Sequence, residues 1–139
     1  MVDDDMQSVY PRLVEAEVII LASPIFFYGI TSQAKALIDR CQAMWCRRFL
    51  DKTRAKERTY PGGRGYLLAA GATKGGNLFQ GAELVAKYFF DALDMSYEGG
   101  VMVKSVDKTG DILKRPDVLK QAFELGKAAV VQGLSSGIP

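Results

Sequence analysis

The stretch Val18-Ile19-Ile20-Leu21-Ala22-Ser23-Pro24-Ile25-Phe26-Phe27-Tyr28-Gly29-Ile30-Thr31-Ser32-Gln33 decides how the chain folds. Its apolar run continues from Val18 to Ala22 and stops at a Ser-Pro pair. Apolar residues in succession, rather than in alternation, mark a parallel strand covered on both faces. Pro24 ends that strand and keeps Ser23 extended. Gly29 allows a positive φ or a close backbone approach to a flat ligand. From Gln33 to about Phe49 the apolar residues Ala34, Leu37, Ile38, Cys41, Met44 and Trp45 recur at helical spacing. The segment reads as buried strand, exposed loop, helix. Ligands of open α/β sheets sit beyond the carboxyl ends of the strands, where such a loop emerges. The plainer reading of the same residues is a connecting loop whose aromatics cap a core.

Upstream, Asp3 to Glu15 reads as a helix, with Met6, Val9, Leu13 and Ala16 on one side and an aspartate before Met6 as N-cap. Pro11 either kinks it or lies in the first turn of a helix that starts near Val9. The first strand then covers Glu17 to Ser23. Downstream, Gly65 to Gly71 is the second strand, and Ala72-Thr73-Lys74-Gly75-Gly76-Asn77 is its exit loop. A helix over Leu78 to Leu93 turns Ala82, Val85, Ala86, Phe89, Phe90 and Leu93 inward. Ser96 to Lys104 is the third strand, and Val106 to Leu113 is a turn rich in Asp and Gly. The last helix starts at Arg115 or Pro116, runs to about Gly133, and is expected to bury Val118, Leu119, Ala122, Phe123, Gly126 and Val130.

Strands alternating with helices predict an α/β fold with a parallel sheet. The strands Glu17–Ser23, Gly65–Gly71 and Ser96–Lys104 are expected in that spatial order, with helices on both faces. Residues 1–139 read as one domain by length. Between the second helix and the second strand, Arg47 to Arg64 carries seven basic residues against Asp51 and Glu57, and ends in Tyr60-Pro61-Gly62-Gly63. This predicts a mobile basic loop at about 50–63. It is either a solvated excursion, or a lid or docking surface for a phosphorylated cofactor.

Composition narrows the chemistry. A net charge of +2 is too small to argue for nucleic acid. The longest apolar stretch, Val18 to Ile30, contains Ser23 and Pro24 and is too short to span a bilayer. Asp3, Asp4 and Asp5 stand where a signal peptide needs positive charge, so a cytoplasmic protein is expected. The chain has no histidine, which removes Ser-His and Cys-His catalysis and His-ligated metal. Cys41 and Cys46, five residues apart, project about 140° apart around a helix and cannot grip one metal. Both are expected to be reduced packing residues. No metal site and no catalytic side chain stand out, which leaves cofactor chemistry, where the protein positions and tunes.

Two strand-exit loops should lie side by side on the carboxyl edge of the sheet. The first offers Ser23, Pro24, Ile25, Phe26, Phe27, Tyr28 and Gly29. The second offers Ala72, Thr73, Lys74, Gly75 and Gly76. Aromatic side chains stack on a planar ring. Backbone N–H groups beside glycines reach its polar edges, and Lys74 is placed to stabilise negative charge on a reduced heterocycle.

Ser23-Pro24-Ile25-Phe26-Phe27-Tyr28-Gly29, followed by Gln33-Ala34-Lys35-Ala36-Leu37-Ile38-Asp39-Arg40, resembles the NAD(P)H-dependent FMN reductase and iron–sulfur flavoprotein group of flavodoxin-like proteins. Asp4-Asp5-Met6-Gln7 and Gly71-Ala72-Thr73-Lys74-Gly75 are similar to the group's segments before the strand and at the second loop. The resemblance runs from Asp4 to about Gly126. It implies a flavodoxin-like doubly wound sheet, FMN as cofactor, NAD(P)H as donor, and dimers with the flavin near the interface. It places Ser23 to Gly29 and Ala72 to Gly76 against the isoalloxazine, with hydride passing from nicotinamide to flavin N5 between walls formed by Phe26, Phe27 and Tyr28. The group's N-terminal strand, its phosphate-binding loop and the cysteine cluster of its iron–sulfur members have no counterpart here. The expectation is therefore an N-terminally truncated fold of three core strands without an iron–sulfur cluster. The alternatives are the non-catalytic or partner-dependent half of a split flavoprotein, or a flavodoxin-type electron carrier. Without a neighbour, Glu17–Ser23 becomes a sheet edge, and a homodimer or other oligomer is expected to cover it.

Overall fold

In the computed structural model the described residues are 4–50 and 62–135, with side chains described for 4–47 and 62–131. The basic loop expected at about 50–63 lies almost wholly outside them. The elements follow the order α1 (Met6–Glu15), β1 (Val18–Pro24), α2 (Ser32–Arg40), α3 (Gln42–Leu50), β2 (Arg64–Gly71), α4 (Gln80–Ala92), β3 (Ser96–Lys104), a short 3₁₀ turn (Asp111–Lys114) and α5 (Pro116–Ser135). The three strands pair in parallel in the order β1-β2-β3, as the sequence pattern predicts.

Register sets what each face holds. Leu21 lies beside Leu67 and Ser23 beside Ala69, while Ile20 lies beside Tyr66 and Ala22 beside Leu68. Successive strand residues point to opposite faces. One face carries Leu67 and Ala69 into the main core, where they meet Ala82, Ala86, Phe89 and Phe90 of α4 and Cys41 at the end of α2. Gly65 belongs to this face, and a Cβ there would stand 2.2 Å from the Phe90 ring, so the missing side chain is what seats that ring. Phe90 also stacks on Tyr97 of β3, with ring centroids 6.0 Å apart. The opposite face buries Tyr66 and Val103. There the Arg64 guanidinium donates to the Ala129 carbonyl of α5 at 3.0 Å and pairs with Glu17 at 3.2 Å. The main core takes in partly buried residues of α1, α2 and α3, whereas the second face has α5.

Three local expectations are corrected. The helix expected from Gln33 to Phe49 is two helices that meet at Cys41. The Cys41 N–H donates to both Leu37 and Ile38, which tightens the last turn of α2, and the Cys41 carbonyl then accepts from Met44 as α3 begins. Buried Cys41 and half-buried Met44 both reach the core. In α1, by contrast, Pro11 lies inside a helix that starts at Met6, the first of its two readings, and the aspartate that serves the N-terminus is Asp4, whose carboxylate accepts from the Met6 N–H at 3.1 Å. In α5, Val118 and Ala129 are buried, but Leu119, Phe123 and Val130 are exposed, Phe123 at 70%. The helix rests on β3 along one narrow arc, and those three residues lie one step further round it. Finally, the left-handed backbone expected at Gly29 falls on Phe27 and Tyr28 instead.

Candidate functional site

Adjacent parallel strands deliver their exit loops to one edge, so the register of β1 on β2 places the two candidate loops together. Pairing runs to Pro24↔Ala70 and is extended by the Ile25 N–H donating to the Ala70 carbonyl at 2.8 Å. The Ile25 side chain turns back into the core. Phe26 and Gly29 then exchange two backbone hydrogen bonds of 3.0 Å, closing a two-residue hairpin with Phe27 and Tyr28 at its tip. Both tip residues are left-handed, with φ of 49° and 63°. Hairpins with positive φ at both tip positions favour Asn-Gly, and a left-handed residue bearing a side chain costs about 1–2 kcal/mol. Two bulky aromatics here are therefore held against their backbone preference.

Tyr28 ties the turn to the second loop. The Cβ position at Gly75 lies 2.8 Å from the Tyr28 hydroxyl, and that at Gly81, in the first turn of α4, lies 2.7 Å from the Tyr28 carbonyl oxygen. Gly81 was not legible as a site residue, although a glycine in the first turn of a helix pattern is a signal of close approach. Ala72, Thr73, Lys74 and Gly76 are exposed, and a Cβ at Gly76 would meet open space. Phe26 and Tyr28 are exposed, and Phe27 is fully so.

Ser23, expected at the ligand, is buried, and its hydroxyl works within the loop. It donates to the Pro24 carbonyl at 2.8 Å and accepts from the Thr31 N–H at 3.1 Å. Thr31 in turn caps α2, its hydroxyl oxygen accepting from the Ala34 N–H. The pair pins both ends of the loop between β1 and α2. Gly29 has no positive φ, and a Cβ there would make an ordinary 3.7 Å contact with the Phe26 carbonyl oxygen.

Other features of the chain carry little chemistry. Burial pushes the Cys41 thiol up to about 11, so it stays protonated near neutrality, and both cysteines are free. Among the described residues no cluster of three His, Cys, Asp or Glu could hold a metal, and no helix is long and apolar enough to cross a membrane. A groove of about 480 Å³ between α1 and α3, lined by Tyr10, Val14, Met44 and Arg47 among others, contains no residue of the strand-exit loops.

An aromatic-tipped loop meets a glycine loop at the carboxyl edge of a parallel sheet, the adjacency that the strand order predicts. The profile of the NADPH-dependent FMN reductase family matches residues 1–103. The chain belongs to that family. It is 30% identical over 129 residues to the putative NAD(P)H-dependent FMN-containing oxidoreductase YwqN of Bacillus subtilis, covering 91% of this chain and 67% of that protein. The structure of the Trp repressor binding protein from Bacillus subtilis superposes with a TM-score of 0.65 at 26% identity, over 87% of this chain and 70% of the other. A flavodoxin, WrbA-like protein from Agrobacterium tumefaciens matches with a TM-score of 0.52 at 16% identity, over 76% of this chain and 63% of the other, which speaks to the fold. The fold of this FMN reductase family member is thus flavodoxin-like, with three parallel strands described.

Proposed function

We propose that this chain is an FMN-dependent oxidoreductase with NAD(P)H as donor, and that its two strand-exit loops hold the flavin ring. The observation that carries the reading is the contact of Tyr28 with Gly75 and Gly81, which joins the aromatic turn to the glycine loop as one surface. The residues suit a flat heterocycle. Phe26 and Tyr28 are exposed beside the loop, Phe27 stands at the outer rim, and the open Gly76 and half-buried Gly75 leave backbone accessible. FMN, when bound, would supply the redox chemistry of hydride and electron transfer. The chain's own part is to bind and orient. Aromatic faces stack on the ring, backbone amides of Ala72 to Gly76 meet its polar edge, and exposed Lys74 offsets negative charge at that edge. Ser23 and Thr31 keep the loop in place through their hydrogen bonds at its two ends. A reaction that draws on NAD(P)H fits a cytoplasmic location.

Titration of purified protein with FMN, followed by flavin fluorescence, tests the reading together with NAD(P)H oxidation. Quenching and turnover are expected. The absence of quenching at high micromolar FMN would overturn the reading for this chain.

A second reading concerns assembly, and rests on uncovered surface. β1 is the outer strand of the described sheet, its Ile20 is 45% exposed, and α5 turns Leu119, Phe123 and Val130 to solvent. An apolar strand edge with no Lys and no early Pro invites pairing. We infer a homodimer that buries this edge or the adjoining sheet face. Light scattering should report a dimer at low micromolar concentration, and a monomer with a cooperative melt would overturn the inference.

A further inference from the structure

A third strand exit lies at the same edge, beyond the two loops assigned to the flavin. β3 ends at Lys104 beside Gly71, and the chain leaves through Ser105-Val106-Asp107-Lys108-Thr109-Gly110. The Val106 N–H donates to the Gly71 carbonyl at 3.2 Å, which ties this exit to the root of the glycine loop. Ser105 is left-handed, with φ of 61°. Strained residues held by surrounding structure concentrate at ligand clamps. The Asp111 carboxylate holds the shape of the loop, accepting from the N–H groups of Asp107 and Lys108. Charge is unevenly paired here. Lys114 pairs with Asp111 and Arg115 with Asp117, whereas Lys104 and Lys108 are in no ion pair among the described residues. Val103 is buried on the α5 face, so Lys104 belongs to the opposite face, on which the glycine loop leads into α4.

We propose that Lys104 and Lys108 form a phosphate subsite for the 2′-phosphate of NADPH, and so set the choice of NADPH over NADH. The assignment rests on the reading above that the donor is a nicotinamide dinucleotide, and adds the residues that select it. Position supports it. Neighbouring strands lie about 4.8 Å apart, so the third exit stands one such spacing beyond the glycine loop and two beyond the aromatic turn. A nicotinamide stacked on a ring held by the first two loops leaves its adenosine half to extend past them, and the β3 side offers it two cations. Chemistry supports it as well. A terminal phosphate carries roughly two negative charges and three acceptor oxygens. A lysine ammonium meets it as a point charge with three donors. Lys104 is half-buried and Lys108 exposed, which gives the subsite a rooted and an outer cation, and the two outweigh exposed Asp107 in the same loop.

The test uses the whole chain and two probes, adenosine 2′,5′-bisphosphate for the NADPH half and adenosine 5′-monophosphate for the NADH half, with binding followed by calorimetry both without FMN and at saturating FMN. Wild-type protein should bind the bisphosphate roughly tenfold more tightly than the monophosphate, the worth of about one charge-assisted hydrogen bond. Lys104→Gln combined with Lys108→Gln should erase that difference while monophosphate binding is retained. In turnover, the same double variant should raise KM more for NADPH than for NADH. Replacing both lysines by arginine should keep the preference. Lys127→Gln removes an exposed cation from α5 and is the control for net charge, so it should keep the preference too. Wild-type protein that binds the two probes equally, or binds neither, overturns the proposal. So does a preference that survives the loss of both lysines, or that is lost equally in Lys127→Gln. A loss of FMN affinity as large as the loss of bisphosphate affinity would place the lysines on the flavin phosphate and also overturn it. Failure of FMN to bind, with bisphosphate binding still dependent on both lysines, would remove the flavin reading alone.

Discussion

Replacing Gly81 by alanine separates the positioning of the loop pair from the stability of the fold. Gly81 lies in the first turn of α4, and a Cβ there would stand 2.7 Å from the Tyr28 carbonyl oxygen, a backbone atom with no rotamer to yield. Ordinary contact begins at 3.4 Å, so the turn and helix must separate by about 0.7 Å. Two effects then oppose each other. Alanine gains about 1 kcal/mol in helix propensity over glycine. Overpacking of a close contact costs about 1–3 kcal/mol. The net loss is about 0–2 kcal/mol, which at about 4 °C per kcal/mol for a chain of this size lowers Tm by at most about 8 °C. The effect on function should be larger, because a misplacement of about 1 Å in a positioning group can cost about a hundredfold in rate. Gly81→Ala is therefore expected to lose tenfold or more in FMN binding or NAD(P)H oxidation, by about that same argument, while the circular-dichroism melt stays cooperative. Gly126→Ala is the control. Its Cβ would meet open space in α5, so it should gain about 1 kcal/mol and leave flavin binding alone. If Gly81→Ala raised Tm as Gly126→Ala does and bound FMN as wild type does, the coupling of Tyr28 to α4 would be refuted.

Gly29→Ala should be silent, with Tm within about 2 °C of wild type, because neither a positive φ nor a close contact requires glycine there. Arg64→Leu should cost about 2–3 kcal/mol in a urea melt, since the guanidinium is nearly buried and links Glu17 at the start of β1 to the Ala129 carbonyl of α5. The Asp111 carboxyl is held at about 2, below its ordinary 3.8, by the Lys114 ammonium and by the N–H groups of Lys108 and Asp107. A lowered folded-state value means that the stabilisation is present above about pH 4 and fades as pH falls toward 2. Asp111→Asn should accordingly lower Tm at neutral pH, with the gap to wild type closing across that acidic window. A gap that stayed constant with pH would argue against this account.

Much of the fold was legible because it depends on patterns that local residues enforce. The uninterrupted run Tyr66 to Ala70 marks a strand with two covered faces, but the same pattern in Val18 to Ala22, read the same way, leaves Ile20 and Ala22 exposed on one face of β1. Ala82, Ala86, Phe89 and Phe90 at helical spacing specify the face of α4 that covers the sheet, and all four are buried. The alternation of strand and helix then leaves parallel topology as the economical solution. The candidate loops follow from the strand ends, so their being neighbours was legible too. The short Ser-Pro-x-aromatic-aromatic run and the helix after it carried the family.

What the tertiary structure decided depends on atoms distant in the chain. Ser23 is taken up by Thr31 because the loop between them returns on itself, a closure that no spacing rule encodes. Gly81 matters only because Tyr28, more than fifty residues earlier, brings its carbonyl against α4. The helix after the first loop ends at Cys41, whose N–H turns to the Ile38 as well as the Leu37 carbonyl, a tightening of the last turn that apolar periodicity does not report. The positive φ fell on two aromatics and not on the neighbouring glycine, since the pairing of Phe26 with Gly29 fixes which residues occupy the tip. Leu119, Phe123 and Val130 carry the same apolar signal as Val118 and Ala129, yet they stay exposed. Periodicity states that a helix has an apolar side, but only the packing of α5 on β3 determines how much of that side the sheet can cover.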